Sequence, residues 1–374
     1  MRFTLSSSVL NGQLLTLSRV INSKNSLPIL DCFLFEVNNG QLTLTASDKE
    51  NVMTAVIPLD QCDGDGCFAL PNKTILDAVK ELPEQPLTFD IDTDTLGLKI
   101  IYQNGMYQFV AQRGAEFPKA QAMSDGAMTV MMGASVLVDN ITRSLFATAQ
   151  DELRPVMNGV FFDITDECMS VVATDGHKLV RNRNFLVKSE TPTSFILPKK
   201  PAGLLKVMLA KSADDVVAKF DSNMAKFATA DATLTCRLIE GRYPNYNSVI
   251  PKDNPNELTI DRKSLIGALR RVLPFASESN QLVRLHLETG KLVLTSEDID
   301  FSTSAKETMT CDYSGKPMDI GFKGSSLSEI LTNLDSEEVT VKLADPSRAG
   351  VIVPTQGHDN EDVLMLIMPM LLND

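Results

Sequence analysis

The 374-residue sequence has no tryptophan, no CxxC pair and three histidines. The missing tryptophan excludes nothing, but the cysteine pattern does. Cys32, Cys62, Cys67, Cys168, Cys236 and Cys311 are scattered, which fits reduced, buried, inert thiols and not a disulfide framework or a zinc site. His177, His286 and His358 stand far apart in unlike contexts, so a multi-histidine metal site is not expected. Neither GxxxxGKS nor GxxxxGKT occurs, and the close pair Gly64 and Gly66 in "CDGDGC" follows no dinucleotide-binding strand–helix pattern. Asp63 and Asp65 lack the third acidic position and the terminal glutamate of a calcium loop, so the segment reads as a hairpin turn. No run approaches the roughly 18 apolar residues of a membrane span, and Met1 to Leu5 contains no apolar signal core. The expectation is a cytoplasmic protein without membrane association, metal or cofactor.

What is present is ordinary globular material, 43% hydrophobic and 22% charged, with a net charge of −13. That charge argues against nucleic-acid binding by the whole surface but leaves room for a local basic face. At roughly 100 to 200 residues per domain, the length predicts two to four domains, with three the central value.

An internal repeat supports three. "PILDCFLFEVNNGQLTLTASD" (28–48) aligns without gaps on "PVMNGVFFDITDECMSVVATD" (155–175), and residues 34–48 align likewise on "RLHLETGKLVLTSED" (284–298). The offsets of 127 and 250 residues give successive units of domain size. Each shared segment alternates apolar and polar residues around "NNG", "TDE" or "ETG", the pattern of a β-hairpin. Asp48, Asp175 and Asp298 fall on one equivalent turn position. Helix-period stretches precede the hairpins over Ser6 to Ile21, Ala134 to Ala149 and Arg262 to Ala276, the last with Asp261 as a candidate N-cap. Shorter ones follow over Lys73 to Leu82, Lys199 to Ala210 and Ser325 to Leu334. Each unit therefore reads as α+β, two helices packed on antiparallel sheet, and the domains are placed at 1–122, 128–252 and 253–374.

With flanking residues, the six helical segments carry a net +8, leaving −21 for the remainder. A helical face that meets phosphate accounts for this, and so do ordinary surface helices. No zinc finger, helix-turn-helix or RNA-recognition aromatic motif accompanies the charge, which disfavours a sequence-specific reader. "TDGHK" (174–178) offers an Asp175/His177 acid–base pair, but Asp175 is first explained as the repeated turn residue, so catalysis is not expected. Residues 365–372, "MLIMPMLL", have no polar side chain. They are either a last buried strand or a surface kept apolar for partners.

Four motifs in order, "RPVMNG" (154–159), "ATDGHKLV" (173–180), "EGRYPNYNSVIP" (240–251) and "MPML" (368–371), together with "SLPIL" (26–30), resemble the bacterial DNA polymerase III β sliding clamp family, processivity factors of the replicative polymerase. The similarity runs over essentially the whole chain. It implies three tandem DNA-clamp domains per chain and a head-to-tail homodimer forming a ring, with helices lining a hole that encircles duplex DNA without reading sequence. It also implies a non-catalytic protein whose partners, besides DNA and itself, are the replicative polymerase alpha subunit, the clamp loader, other DNA polymerases, ligase and mismatch-repair proteins, captured through short linear peptides.

Carried over by position, the resemblance implies a peptide cleft of Met157, Thr174, Gly176, His177, Lys178, Leu179, Pro244, Ser248, Val249, Ile367, Met368, Pro369, Met370 and Leu371. Methionine suits such a cleft because its unbranched, polarizable side chain repacks around differing partners. Lys24, Lys199, Lys200, Lys206 and Arg270 would face DNA, and Tyr107 and Phe109 would meet Val272 and Leu273 across the dimer seam. The chain departs from the family pattern at Pro155, Val156, Ser248 and Leu371, which bears on the rim of the cleft and on DNA contacts near residue 155. The competing readings are a peptide-docking adaptor without DNA and a hydrolase using His177 with Asp175.

Overall fold

The computed structural model describes residues 1–210 and 212–372. Lys211, counted among the basic residues of the fourth helical segment, and Asn373 and Asp374 lie outside the described residues.

One order of elements is written three times. The first repeat begins β1 (Arg2–Ser6), α1 (Ser7–Ser18), β2 (Cys32–Asn38), β3 (Gln41–Ser47), β4 (Asn51–Pro58), β5 (Gln61–Asp63) and β6 (Gly66–Pro71). It ends with α2 (Asn72–Val79), β7 (Pro86–Ile91), β8 (Gly97–Tyr102), β9 (Gly105–Val110) and the short β10 (Gln112–Arg113). The second runs β11 (Met128–Gly133), α3 (Ala134–Leu145), β12 (Gly159–Ile164), β13 (Met169–Thr174), β14 (Lys178–Asn184) and β15 (Thr193–Pro198). It closes with α4 (Lys199–Met208), β16 (Asp215–Phe220), β17 (Met224–Ala228) and β18 (Ala232–Arg237). The third has β19 (Asn256–Asp261), α5 (Arg262–Val272), β20 (Leu282–Glu288), β21 (Lys291–Asp298), β22 (Thr303–Thr310), β23 (Asp312–Tyr313) and β24 (Met318–Lys323). Its last elements are α6 (Gly324–Thr332), β25 (Glu338–Leu343), β26 (Gly350–Pro354) and β27 (Glu361–Ile367).

Local chemistry explains the recurring pieces. Asn39 and Gly40 both take positive φ, 49° and 74°, which is the two-residue turn that lets β2 and β3 pair with their natural twist. The Asp261 side chain accepts the Ser264 N–H at 2.7 Å and caps α5 as expected. The three equivalent aspartates form one motif: Asp48 Oδ1 accepts from Glu50 and Asn51 N–H, Asp175 Oδ1 from His177 and Lys178, and Asp298 Oδ1 from Asp300 and Phe301.

The sheets do not respect the repeats. One nine-stranded sheet has the order β10-β6-β2-β3-β4-β18-β17-β16-β11, and the other β15-β12-β13-β14-β27-β26-β25-β19-β23. A five-stranded sheet, β5-β1-β7-β8-β9, stays within the first repeat, and a four-stranded one, β22-β21-β20-β24, within the third. "CDGDGC" is a turn, with Gly64 at φ 87°, but it is not a hairpin: β5 pairs with β1 and β6 with β2, so the segment carries the chain from one sheet to another.

Accordingly the chain forms two compact units, Met1–Val138 with Lys200–Leu238, and Asp139–Lys199 with the chain from Ile239 onward. The first is centred on Phe3, Phe35, Phe68 and Phe89, with Phe3 and Phe89 stacked at 4.8 Å. The second has a core of leucine, isoleucine and valine from β19, α5, β20, β21, α6 and β25, closed by Met365 and Ile367. The cysteines are unpaired; Cys32, Cys168 and Cys236 are buried, whereas Cys62 and Cys67 are exposed, contrary to the expectation of wholly buried thiols. Burial pushes the Cys236 thiol up to about 12. Among the described residues no helix is long and apolar enough to cross a membrane, and no cluster of His, Cys, Asp and Glu is arranged to hold a metal ion.

Candidate functional site

"TDGHKL" forms the turn between β13 and β14. The Thr174 hydroxyl donates to the Lys178 carbonyl at 2.8 Å and accepts the Gly176 N–H at 3.1 Å, while Gly176 sits at φ 91°, which favours glycine. Lys178 Nζ lies 2.8 Å from Asp175 and 3.2 Å from Glu329 on α6. Burial works to lower the Lys178 pKa, but the two carboxylates outweigh it and the ammonium is held above its usual range. Burial likewise works to raise Asp175, and the Lys178 ammonium with two backbone N–H groups outweighs it, leaving the carboxylate below its usual range. Asp175 meets His177 only through the backbone N–H, so the turn geometry, not an acid–base pair, accounts for it.

Beside this turn lies an apolar bed. Thr174 stands opposite Leu179, and Leu179 opposite Leu366, so all three share one face of the sheet with Val172. Val172, Leu179, Ile196, Tyr243, Tyr246, Ala349 and Leu366 form a buried cluster, flanked by Val156, Phe161 and Ile250. The Tyr243 ring stacks on Phe161 at 4.6 Å, and the Tyr246 hydroxyl donates to Asp163 at 3.2 Å. Met157 is buried in a 3-10 turn, and its Cε lies 3.9 Å from the point where a Cβ on Gly176 would sit. Pro244, Ser248 and Val249 are exposed next to the two tyrosines in sequence. Sequence reasoning missed Phe161; it had Tyr243 and Tyr246 only as part of the "RYPNY" segment, without singling them out, and Val156 only as a departure at the rim. The available signal was strand parity, which puts Phe161 on the face of Val172, and the two aromatics of "RYPNY".

The apolar C-terminal run divides in two. Met365 and Ile367 face the core, and Leu366 faces the opposite side. Ile367, placed in the cleft by sequence, is therefore core, and Lys178, its partner across the strands, shares that face. Beyond β27 the Met368 N–H donates to the His177 carbonyl at 2.8 Å and the Met370 N–H to the Gly321 carbonyl at 2.8 Å. Met368 is 41% and Leu371 85% exposed, so the tail is pinned by its backbone while these two side chains stay at the surface and Pro369, Met370 and Leu372 are half-buried.

The basic residues separate as well. Lys24 and Arg270 are exposed, and Lys199 and Lys206 half-buried. Burial, and then the neighbouring Lys178 charge, lower the Lys199 pKa. Lys200 differs: its ammonium donates to the Val20 carbonyl and Asn22 Oδ1, each at 2.6 Å, and to Asp48. Three acceptors occupy its three donors, which removes it from the set expected to face DNA. Of the residues expected at a dimer seam, Tyr107 and Phe109 lie half-buried on the edge strand β9. Val272 is 1% exposed within the core of its own unit and cannot serve a seam, and Leu273 packs against that core.

Three tandem α+β repeats with this sheet order define a DNA clamp. The chain matches models of the N-terminal, central and C-terminal domains of the DNA polymerase III beta subunit over residues 1–120, 132–245 and 247–371. It belongs to the DNA polymerase III beta subunit family, and as a sliding clamp it is a non-catalytic processivity factor. Similar proteins named beta sliding clamp include those of Pseudomonas putida, 27% identical over 373 residues, and Escherichia coli strain K12, 27% identical over 374 residues, each match covering 100% of both chains. Among solved structures, a sliding clamp from Bartonella birtlesii bound to griselimycin is 26% identical with a TM-score of 0.90, again over 100% of both chains. One from Pseudomonas aeruginosa, also bound to griselimycin, shares the fold at a TM-score of 0.93 and 24% identity over 100% of both chains.

Proposed function

We propose that two copies of this chain close head to tail into a ring around duplex DNA in the cytoplasm, with domains at 1–122, 128–252 and 253–374. The apolar bed around Leu179 and Leu366, with Met157, Thr174, Gly176, His177, Pro244, Ser248, Val249, Met368, Pro369, Met370 and Leu371 about it, captures short linear peptides. Their sources are the replicative polymerase alpha subunit, the clamp loader, other DNA polymerases, ligase and mismatch-repair proteins. The observation that carries this reading is the pinned tail: Met368 and Met370 are held by backbone bonds to His177 and Gly321 while Met368 and Leu371 remain exposed. A surface of that kind is apolar, adaptable and fixed in place.

Lys24, Lys199, Lys206 and Arg270 contact phosphates weakly and without sequence preference, and retention on DNA comes from topology. Lys200 instead acts as structural support. The test is to load the protein onto a nicked circular plasmid with its cognate loader, isolate the complex and cut the plasmid once. Retention on the circle with loss after linearisation is the expected result. Equal retention on both forms would mean conventional binding, and failure to load would favour a peptide-docking adaptor.

A further inference from the structure

Each repeat opens with a strand that runs straight into a helix, and the outer edge of that strand is covered in two of the three. In the first repeat β5 covers β1, with Cys62 opposite Phe3, and in the third β23 covers β19, with Tyr313 opposite Leu258. In the second, β11 pairs with β16 on one side, and among the described residues no strand lies on the other. The Ala134 N–H donates to the Asp214 carbonyl at 3.1 Å, as the Ser7 N–H of the first repeat does to Gln85 at 2.9 Å. By the alternation of an antiparallel ladder, the N–H and C=O groups of Val130 and Met132 therefore turn to β16, and those of Thr129 and Met131 turn to the bare side. Thr4, the counterpart of Met131, uses that side: its carbonyl accepts the Asp60 N–H at 3.0 Å.

β11 carries no charge and no proline, so nothing in its own sequence guards the edge against a further strand. Strand parity puts Thr129 and Met131 on the face turned away from the buried Val130 and Met132. Met131 is 62% exposed beside Val217, itself 37% exposed. In the next row Thr129 stands opposite Lys219 and Lys219 opposite Lys226, with both lysines exposed. Like charges opposed across two strands repel, and neither ammonium has an ion-pair partner among the described residues. Asp215 lies at the far end of this face, opposite Gly133, and the oxygens of Asp221 are occupied by the Ser124, Asn223 and Met224 N–H groups.

We propose that this edge is a peptide-docking site other than the apolar bed, taken by an extended acidic segment of a partner protein that adds to β11 as an antiparallel strand. The direction follows from β5, where Gln61 stands opposite Thr4 and Cys62 opposite Phe3. The incoming residue opposite Met131 thus precedes by two the residue opposite Thr129. The first packs on Met131 and Val217 and is apolar. The second lies two strand spacings, about 10 Å, from Lys219 across the small Thr129, a span that a glutamate and a lysine side chain bridge together. The pattern recognised is an apolar residue, any residue, then an acid, held by main-chain bonds to Thr129 and Met131. β11 of a second copy is a poorer occupant, because it brings another Lys219 and Lys226 to the same face.

The probe is a fluorescein-labelled nine-residue threonine peptide with Leu-Thr-Glu at its centre, its anisotropy read on the full chain. Binding is expected, and about tenfold weaker binding with Leu-Thr-Lys at the centre. Lys219→Glu is expected to remove that preference or reverse it. Met131→Pro deletes only the N–H that faces the bare edge, takes no bond from β16, and is expected to abolish binding with the fold kept. Absence of binding to the parent chain overturns the proposal, as does binding that Met131→Pro leaves unchanged. A preference indifferent to Lys219→Glu overturns the acidic pattern, and because that variant leaves β11 untouched it decides the matter even where Met131→Pro does not fold. Loss of binding on ending the chain after Ile367 places the probe in the apolar bed and overturns the site at β11.

Discussion

Lys200 and Asp48, 152 residues apart, form an ion pair whose carboxylate side chain is only 3% exposed. Removing the ammonium leaves that carboxylate buried beside the Asx turn it holds. Because Lys200 is itself partly solvated, the cost falls below that of a fully buried pair, and Lys200→Met is expected to lose about 2 kcal/mol of stability. Urea unfolding checks this, with Lys206→Met as the comparison expected to change little.

Ending the chain after Ile367 keeps β27 whole and deletes the exposed Met368 and the half-buried Met370. The urea midpoint should hardly move, while affinity for a peptide from the replicative polymerase should fall at least about tenfold, or 1.4 kcal/mol, in fluorescence anisotropy. Unchanged affinity would dissociate the tail from the cleft.

Gly321 permits the tail's approach from the far side. A Cβ there would lie 2.8 Å from Leu282 and Leu372 side-chain carbons and 3.0 Å from the Met370 carbonyl. Gly321→Val is therefore expected to dislodge Met370 and weaken peptide binding by roughly three- to tenfold, about 1 kcal/mol, without touching the residues of the bed.

Asp221 accepts N–H bonds from Ser124, then from Asn223 and Met224, and these lower its carboxyl to about 2 from an ordinary 3.8. A depressed acid stabilises the folded state fully above 3.8, and that contribution disappears as the pH falls towards 2. Asp221→Asn should thus lower the urea midpoint at pH 7 and converge on the parent between pH 3.8 and 2.

Much of the fold was legible because its signals are local. The "NNG" turn, the Asp261 cap and the aspartate repeated at 48, 175 and 298 are written within a few residues of where they act. Some of what was misread was also local: Leu265, Leu269 and Val272 lie at helical spacing on one stripe of α5, which places Val272 inside, and strand alternation sends Ile367 inward and Leu366 outward. The β4–β18 and β14–β27 pairings were not legible, since no short-range period records which distant edge a strand will join. Lys200 escaped for a similar reason. A lysine near a helix start looks solvated until Val20, Asn22 and Asp48, far away in sequence, are brought around it.

The strand joints also bear on how the chain can be handled as pieces. Excised at residues 128 and 252, the central repeat would lose β4 from the flank of β18 and β27 from the flank of β14, baring the unpaired backbone edges of a six-residue and a seven-residue strand. Such edges recruit further strands, so the fragment should precipitate or assemble into sheets although each of its helices and hairpins is intact. Solubility is thus held by the chain as a whole, and by no repeat within it.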